Sequence, residues 1–276
     1  IINDAELPNV IYNIFKELNF GDFTICINNR KILNGLFKSL NLNEIASDIL
    51  RIIDKIDKIG KEAVILELEK LNIEKEKIEK IINFIEIGGT NDEKINALKE
   101  LKIEEETFIK GLNELTEVVK YMRIFKIPEN SFKIDLTIAR GLDYYTGTVY
   151  ETFLNEYKSL GSICSGGRYE NLAEYYTDRK LPGVGISIGL TRLFYQLSEI
   201  NLIKAEKNSI SDILVISMTE DFEYVSKVAN KLRQEGKNVQ VYYEDKKVKA
   251  KFKYADKLKI PYTVVIGDDE VQSQTY

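Results

Sequence analysis

Apolar residues recur along the first forty positions with two different periods. Over residues 4–18, DAELPNVIYNIFKEL, Val10, Ile11, Ile14, Phe15 and Leu18 sit three or four apart, which predicts an amphipathic helix stopped by Gly21. The next stretch, DFTICINNR, alternates Phe23, Ile25 and Ile27 with Thr24, Cys26 and Asn28, the period of a half-buried strand. From Lys31 the helical period returns. Between about residues 41 and 125 the two-residue period disappears altogether. Ile45, Ile49, Ile52, Ile56 and Ile59 form one helical face, with Asn43 as N-cap and Gly60 as stop. Ile78, Ile81, Ile82 and Ile85 form a second face, GGTND a turn, and Phe108, Leu112, Leu115, Val119 and Met122 a third. Short loops join these helices into a small bundle whose charged outer faces read as solvated surface.

Strands return after Pro128, at FKIDL (132–136) and TVYETF (148–153). SLGSICSGGRYENLAEYY places closely spaced glycines before a helix, and LPGVGISIGLTRLFYQL is a strand feeding a helix. Past a polar linker near 204–211 the order becomes strand, helix, strand, helix, strand: DILVISM, EDFEYVSKVANKLRQEG, NVQVYY, VKAKFKYADKLK, YTVVIG. That alternation implies a parallel sheet covered by helices. The fold class is therefore α+β. An antiparallel-looking body (1–40 and 126–205) is interrupted by a helical insertion domain (41–125), and a small α/β domain follows (211–276). A loop of the body is the tolerated place for such an insert.

Composition narrows the function classes. The 276 residues are 44% hydrophobic and 30% charged, with a net charge of −5 and no histidine. Nucleic-acid contact must then come from a local basic patch rather than the field of the whole molecule. Cys26 and Cys164 lie far apart in apolar or small-residue runs and read as buried free thiols. With no histidine and two isolated cysteines, no protein-built zinc site is expected. No apolar stretch approaches a membrane span and no signal peptide is visible, so a cytoplasmic location is expected. The chain opens IINDAEL without methionine, as a fragment or a stretch of ordered residues would.

Three short stretches carry candidate chemistry. In ARGLDYYTGTVYE (139–151), the Arg140 fork suits a carboxylate or a phosphate, and if the backbone there is extended Tyr144 and Tyr145 point to opposite faces. A strand edge with core tyrosines and a surface arginine fits the same residues. In SGGRYENL (165–172), Gly166 and Gly167 leave backbone open to a flat ligand beside Arg168 and Tyr169, or else make a tight turn. In PGVGISIGLTRL (182–193), Gly183, Gly185 and Gly189 run along a strand and do not match the dinucleotide fingerprint. They leave room for a planar ring or for close sheet packing, and Arg192 just beyond could stack on a base or reach a phosphate.

Taken together and in this order, the three stretches resemble the histidyl-tRNA synthetase family of class II aminoacyl-tRNA synthetases. ARGLDYYTGTVYE is similar to the family's first histidine-recognition motif, CSGGRYENL to its second, and PGVGISIGLTRL to class II motif 3. KFKYADKLKIPYTVVIGDDE resembles the anticodon-binding domain. The resemblance implies an antiparallel sheet flanked by helices and a two-step ligation. L-histidine and ATP, with Mg2+ accompanying the ATP, give histidyl-adenylate, and the histidyl group then passes to tRNA(His). It implies that Arg140 is the catalytic arginine at the α-phosphate, stabilising charge as it develops. It further implies a histidine pocket of Arg140, Tyr144, Tyr145 and Tyr169 floored by Gly166 and Gly167, and an ATP site that includes Gly183, Gly185, Gly189 and Arg192. It implies, too, a cytoplasmic homodimer for the full-length protein. The absence of histidine carries no mechanistic message, because imidazole is the substrate.

The chain departs from the pattern in places. Thr191 stands where the family usually has glutamate, which loosens the inference about how Arg192 is oriented. Motif 1, motif 2 and the early acidic histidine-binding loop are absent from these residues, and a molecule truly starting at Ile1 is expected not to form adenylate. The ending EVQSQTY does not continue the family pattern, and Lys246, Lys247, Lys249, Lys251, Lys253 and Lys257 read as a solvated helix or as tRNA backbone contacts. A non-catalytic synthetase-like regulator is the alternative; the intact Arg140 and the C-terminal α/β unit favour the synthetase. A generic nucleotide-binding protein accounts for the glycines but not for the order of the motifs.

Overall fold

Helix α1 (Ile2–Leu18) forms on the predicted apolar spacing, with Ile11 and Phe15 fully buried. It ends earlier than Gly21: Asn19 takes the left-handed conformation at φ 48°, and its N–H donates to the Phe15 carbonyl at 3.1 Å. Asparagine tolerates that conformation, so the helix stops two residues before the glycine. The computed structural model describes residues 1–138, 144–204 and 208–276, which divide into two units, Ile1–Leu202 and Ile203–Tyr276.

In the first unit, β1 (Phe23–Asn29) is the second strand of a five-stranded sheet with β2 (Phe132–Ile134), β3 (Thr148–Leu154), β4 (Cys164–Tyr169) and β5 (Gly183–Ile188). The order is β2-β1-β3-β4-β5. Along β1-β3-β4-β5 each strand is antiparallel to its neighbour, as expected, whereas the short edge strand β2 runs parallel to β1. The half-buried reading of β1 is corrected, since Cys26 and Asn28 are as buried as Ile25 and Ile27. α1 and α8 (Glu106–Ile124) cover one face of β1, while Ile138, Val149, Tyr145 and Phe153 gather around Cys26 on the other. Asn28 is accommodated by donating to the Leu136 and Ile138 carbonyls.

α2 (Arg30–Ser39) crosses α8 at two glycines. A Cβ on Gly35 would lie 2.4 Å from the Phe108 backbone nitrogen, and one on Gly111 would lie 2.7 Å from that of Ile32. The helices therefore touch backbone to backbone.

The intervening helices are α3 (Ala46–Ile53), α4 (Ile56–Ile59), α5 (Lys61–Glu69), α6 (Lys75–Ile85) and α7 (Asn91–Glu100). Asn43 opens a 3-10 turn over Asn43–Ile45 instead of capping a long helix, and Ile59 is exposed rather than part of the buried face. Thr90 and Glu93 close a capping box at the start of α7. α7 also blunts the free edge of β2: Asn91 accepts from the Ile134 N–H at 2.7 Å, and Lys94 donates to its carbonyl at 2.6 Å.

In the second unit, β6 (Ile213–Ser217), α10 (Phe222–Gln234), β7 (Val239–Tyr242), α11 (Val248–Leu258), β8 (Tyr262–Ile266) and α12 (Asp268–Ser273) follow in turn. Their parallel sheet has the order β7-β6-β8. Ile213 and Val215 pack under α10 with Val225 and Val228, while Leu214 and Ile216 pack under α11 with Ala255. Successive β6 residues thus feed opposite cores, as a two-residue period requires of a central strand. Lys251 is not a solvated lysine: it is buried and donates to the Ser217 carbonyl at 2.7 Å. No helix among the described residues is long and apolar enough to cross a membrane.

Candidate active site

Register partners in an antiparallel pair share a face, so the pairing of β1, β3, β4 and β5 fixes which side chains stand together. Cys26, Glu151, Ser165 and Ser187 form one row across the four strands, and Val149, Gly167 and Gly185 form the next. Tyr169 pairs with Gly183 at the end of the same face. Gly166 and Gly167 therefore lie within a strand, and the tight-turn reading is corrected. The helix expected after them is a 3-10 turn, Leu172–Tyr175.

The glycines on this face make space for rings. A Cβ on Gly167 would meet the Tyr145 ring at 2.9 Å and the Thr148 carbonyl at 2.7 Å, and one on Gly183 would meet the Tyr169 ring at 2.4 Å. Gly166 is pressed instead against the neighbouring strand, where its Cβ would lie 2.2 Å from the Gly185 carbonyl. Tyr144 and Tyr145 lie with ring centroids 4.3 Å apart. Burial pushes the Tyr145 phenol up, and the hydrogen bond with Tyr144 and the nearby Tyr169 add to it, so it stays neutral. Tyr144, Tyr145, Arg30, Lys31 and Asn34 line a cavity of about 680 Å³.

On the other flank, Arg192 lies in the first turn of α9 (Leu190–Glu199). With Ser165, Ser187, Gly189 and Gln196 it lines a second cavity of about 210 Å³. Its guanidinium is turned toward the Leu160 carbonyl at 3.4 Å, a long contact that the 2.9 Å bond from Gln196 reinforces. Neither Gly185 nor Gly189 is crowded, since an added Cβ would find its nearest neighbours at 3.7 Å. Arg140 lies outside the described residues.

Behind the sheet, Asp4 is fully buried and Arg168 is 16% exposed. The guanidinium grips the carboxylate with two hydrogen bonds, Nε to Oδ1 at 2.8 Å and Nη2 to Oδ2 at 2.6 Å. Burial pushes the Asp4 carboxyl up, but the hydrogen bonds and charge of Arg168 outweigh it and hold it below its ordinary value. Removing Arg168 would strand the buried Asp4 carboxylate, at a typical cost of about 3–5 kcal/mol. Pro8 lies inside α1 and has no N–H, so the Asp4 carbonyl loses its usual helical donor. The Tyr150 hydroxyl supplies one at 2.6 Å.

Both cysteines are free and buried. Burial pushes each thiol up to about 12, with the charges of Asp135 and Glu151 contributing at Cys26. The reactive thiolate forms only as pH rises toward that value. Neither cysteine is expected to react with a maleimide at about pH 8 in native protein, whereas both should react after denaturation. A mass shift in the native protein would contradict this.

The comparisons with known proteins decide the family. A model described as histidyl-tRNA synthetase matches residues 1–193, and one described as an anticodon binding domain matches residues 212–276. The chain belongs to the histidyl-tRNA synthetase family. It is 58% identical over 275 residues to a histidine–tRNA ligase of Clostridium tetani, covering 99% of the chain and 62% of that protein. A crystal structure of histidyl-tRNA synthetase from Nostoc sp. superposes with TM-score 0.76 at 44% identity, covering 99% of the chain and 64% of the other. A Bacillus halodurans structure, titled as an ATP phosphoribosyltransferase regulatory subunit/histidyl-tRNA synthetase, shares the fold at TM-score 0.67 and 20% identity, covering 96% of this chain and 64% of that one. The chain spans a little under two thirds of the length of these relatives.

The structure therefore gathers Tyr145, Tyr169, Gly167, Gly183 and Gly185 on one face, with Arg192 and Gly189 at its edge. Sequence reasoning missed Ser165 and Ser187. Their signal was the alternation that puts them on the side of Gly167 and Tyr169. It also missed Asp4, an acid in a first helical turn whose partner lies 164 positions away.

Proposed function

We propose that this chain is the histidine- and ATP-handling part of a histidine–tRNA ligase. Its protein activates L-histidine with ATP to histidyl-adenylate and pyrophosphate, then transfers the histidyl group to tRNA(His). The carrying observation is that Tyr145 and Tyr169, one from each histidine motif, rest on glycines of a single sheet face. Tyr145, held neutral, can share a phenol hydrogen bond with an imidazole nitrogen, and Tyr169 closes the opposite side. Gly167 gives the floor, with Gly166 letting the strands pack closely behind it, Tyr144 the rim, and Gly183, Gly185, Gly189 and Arg192 the nucleotide side.

Arg140, by its place in the motif, contacts the α-phosphate where negative charge builds in the in-line displacement. No three His, Cys, Asp or Glu side chains cluster into a metal cage among the described residues. In this reading magnesium accompanies ATP as its counter-ion. The unit from 212 to 276 meets the tRNA anticodon, the helices over 41–125 are an insertion whose last two, α7 and α8, pack against the body of the first unit, and the full-length protein works as a cytoplasmic homodimer.

The test is ATP–pyrophosphate exchange by the full-length protein with and without L-histidine. Exchange that requires histidine supports the proposal. Histidine binding without exchange favours a non-catalytic regulator, and no histidine binding removes the reading.

A further inference from the structure

We propose that the Asp4–Arg168 ion pair is a positioning device for the histidine site, setting Tyr145 and Tyr169 from the opposite side of the sheet. The inference rests on the histidine-site reading above.

Strand alternation gives Arg168 its place. It lies between Gly167 and Tyr169, so its side chain leaves β4 on the face away from both the glycine floor and the Tyr169 phenol. That far face is the one on which α1 packs against β4 and β5. Arg168 there does three things at once. Its fork fixes the angle of β4 to the first turn of α1 through two short bonds to Asp4. Its carbonyl accepts from the Thr146 N–H at 2.8 Å, which pins the backbone one residue beyond Tyr145. Its aliphatic stem lies against Gly147, where an added Cβ would meet Cδ at 3.0 Å.

The neighbouring strand is tied to the same turn. Tyr150 of β3 donates to the Asp4 carbonyl that Pro8 leaves without a helical donor. β3 and β4 thus converge on Asp4 of α1, and the segment carrying Tyr144 and Tyr145 is tied to it through Arg168. A planar fork in two bonds resists rotation, whereas an ammonium acts as a point charge. Arg168→Lys therefore keeps the charge and loses the geometry. Since Tyr145 rests on Gly167 with no slack, a small rotation of β4 moves the ring that faces the imidazole.

The test compares Arg168→Lys and Tyr150→Phe with the parent in the full-length protein. Histidine affinity is measured by calorimetry, and KM for histidine and for ATP by exchange, all well below each thermal midpoint. Arg168→Lys is expected to raise the histidine Kd and KM at least about tenfold while leaving the KM for ATP within about twofold. Tyr150→Phe is expected to shift histidine KM the same way by about threefold. A merely structural pair would lower the thermal midpoint and leave the KM values of the folded enzyme unchanged. That outcome overturns the proposal, as does an equal rise in both KM values. A parent that fails to bind histidine overturns the site reading and this inference together; a binding parent with unaffected variants overturns this inference alone.

Discussion

Gly167→Ala is expected to weaken L-histidine binding by at least about a hundredfold, equivalent to about 2.7 kcal/mol. The added methyl would sit 2.7 Å from the Thr148 carbonyl and 2.9 Å from the Tyr145 ring, both too close for carbon. One of the two must give way. The carbonyl belongs to β3, whose pairing with β4 runs through Val149 and Gly167 themselves, so moving it opens the ladder in the middle of the sheet. The ring is easier to displace, being only partly buried, and its departure vacates the wall proposed to hold the imidazole. A helix-internal glycine-to-alanine change usually gains stability; here the site is a strand, and the nearest neighbours leave no room to collect that gain. Calorimetry with L-histidine, at a temperature where circular dichroism shows the variant folded, measures the effect. Unchanged affinity would show that the Tyr145 ring takes no part in the histidine site.

Much of this architecture was legible in the chain because its periods are clean. β6 reads Ile-Leu-Val-Ile, and its alternate residues serve two cores on opposite faces. α8 carries Phe108, Leu112, Leu115, Val119 and Met122 at helical spacing, and all are buried. What failed were places where a neighbour distant in sequence overrode the local pattern. Asn28 falls on the polar side of the β1 alternation, but it finds two carbonyls more than a hundred positions away, and with those bonds its burial is tolerable. Lys251 sits in a run of lysines, and only the fold shows that a strand-end carbonyl awaits it.

The candidate site divides the same way. Tyr145, Tyr169 and the glycines were visible as motifs, yet the motif does not say that the paired glycines continue a strand. That depends on register with β3 and β5, a long-range property. Arg168 stood beside the site as an apparent ligand group. The structure gives its charge to Asp4, which a sequence reader would take for a first-turn acid favoured by the helix dipole.

Gly35→Ala is expected to destabilise the unit spanning Ile1–Leu202 by about 2 kcal/mol, lowering its thermal midpoint by about 4–8 °C. Two opposing terms decide the sign. Alanine gains about 1 kcal/mol over glycine inside a helix, since the unfolded chain is less free and the helix better formed. Against it, the new methyl would lie 2.4 Å from the Phe108 nitrogen and 2.6 Å from its Cα, both backbone atoms of α8. A flexible side chain could swing away from such a clash; a helix backbone can only translate. Moving α8 outward loosens Phe108, which is 1% exposed, and its edge contact with Phe84 at 6.4 Å between centroids. It also opens the reciprocal crossing at Gly111, so relaxation at one glycine loses contact at the other. The clash therefore outweighs the helix-propensity gain. Gly88→Ala is the control, because its methyl would meet nothing nearer than the Glu86 carbonyl at 3.9 Å. Thermal denaturation followed by far-ultraviolet circular dichroism should separate the two variants. Equal midpoints would mean that α2 and α8 do not cross backbone to backbone.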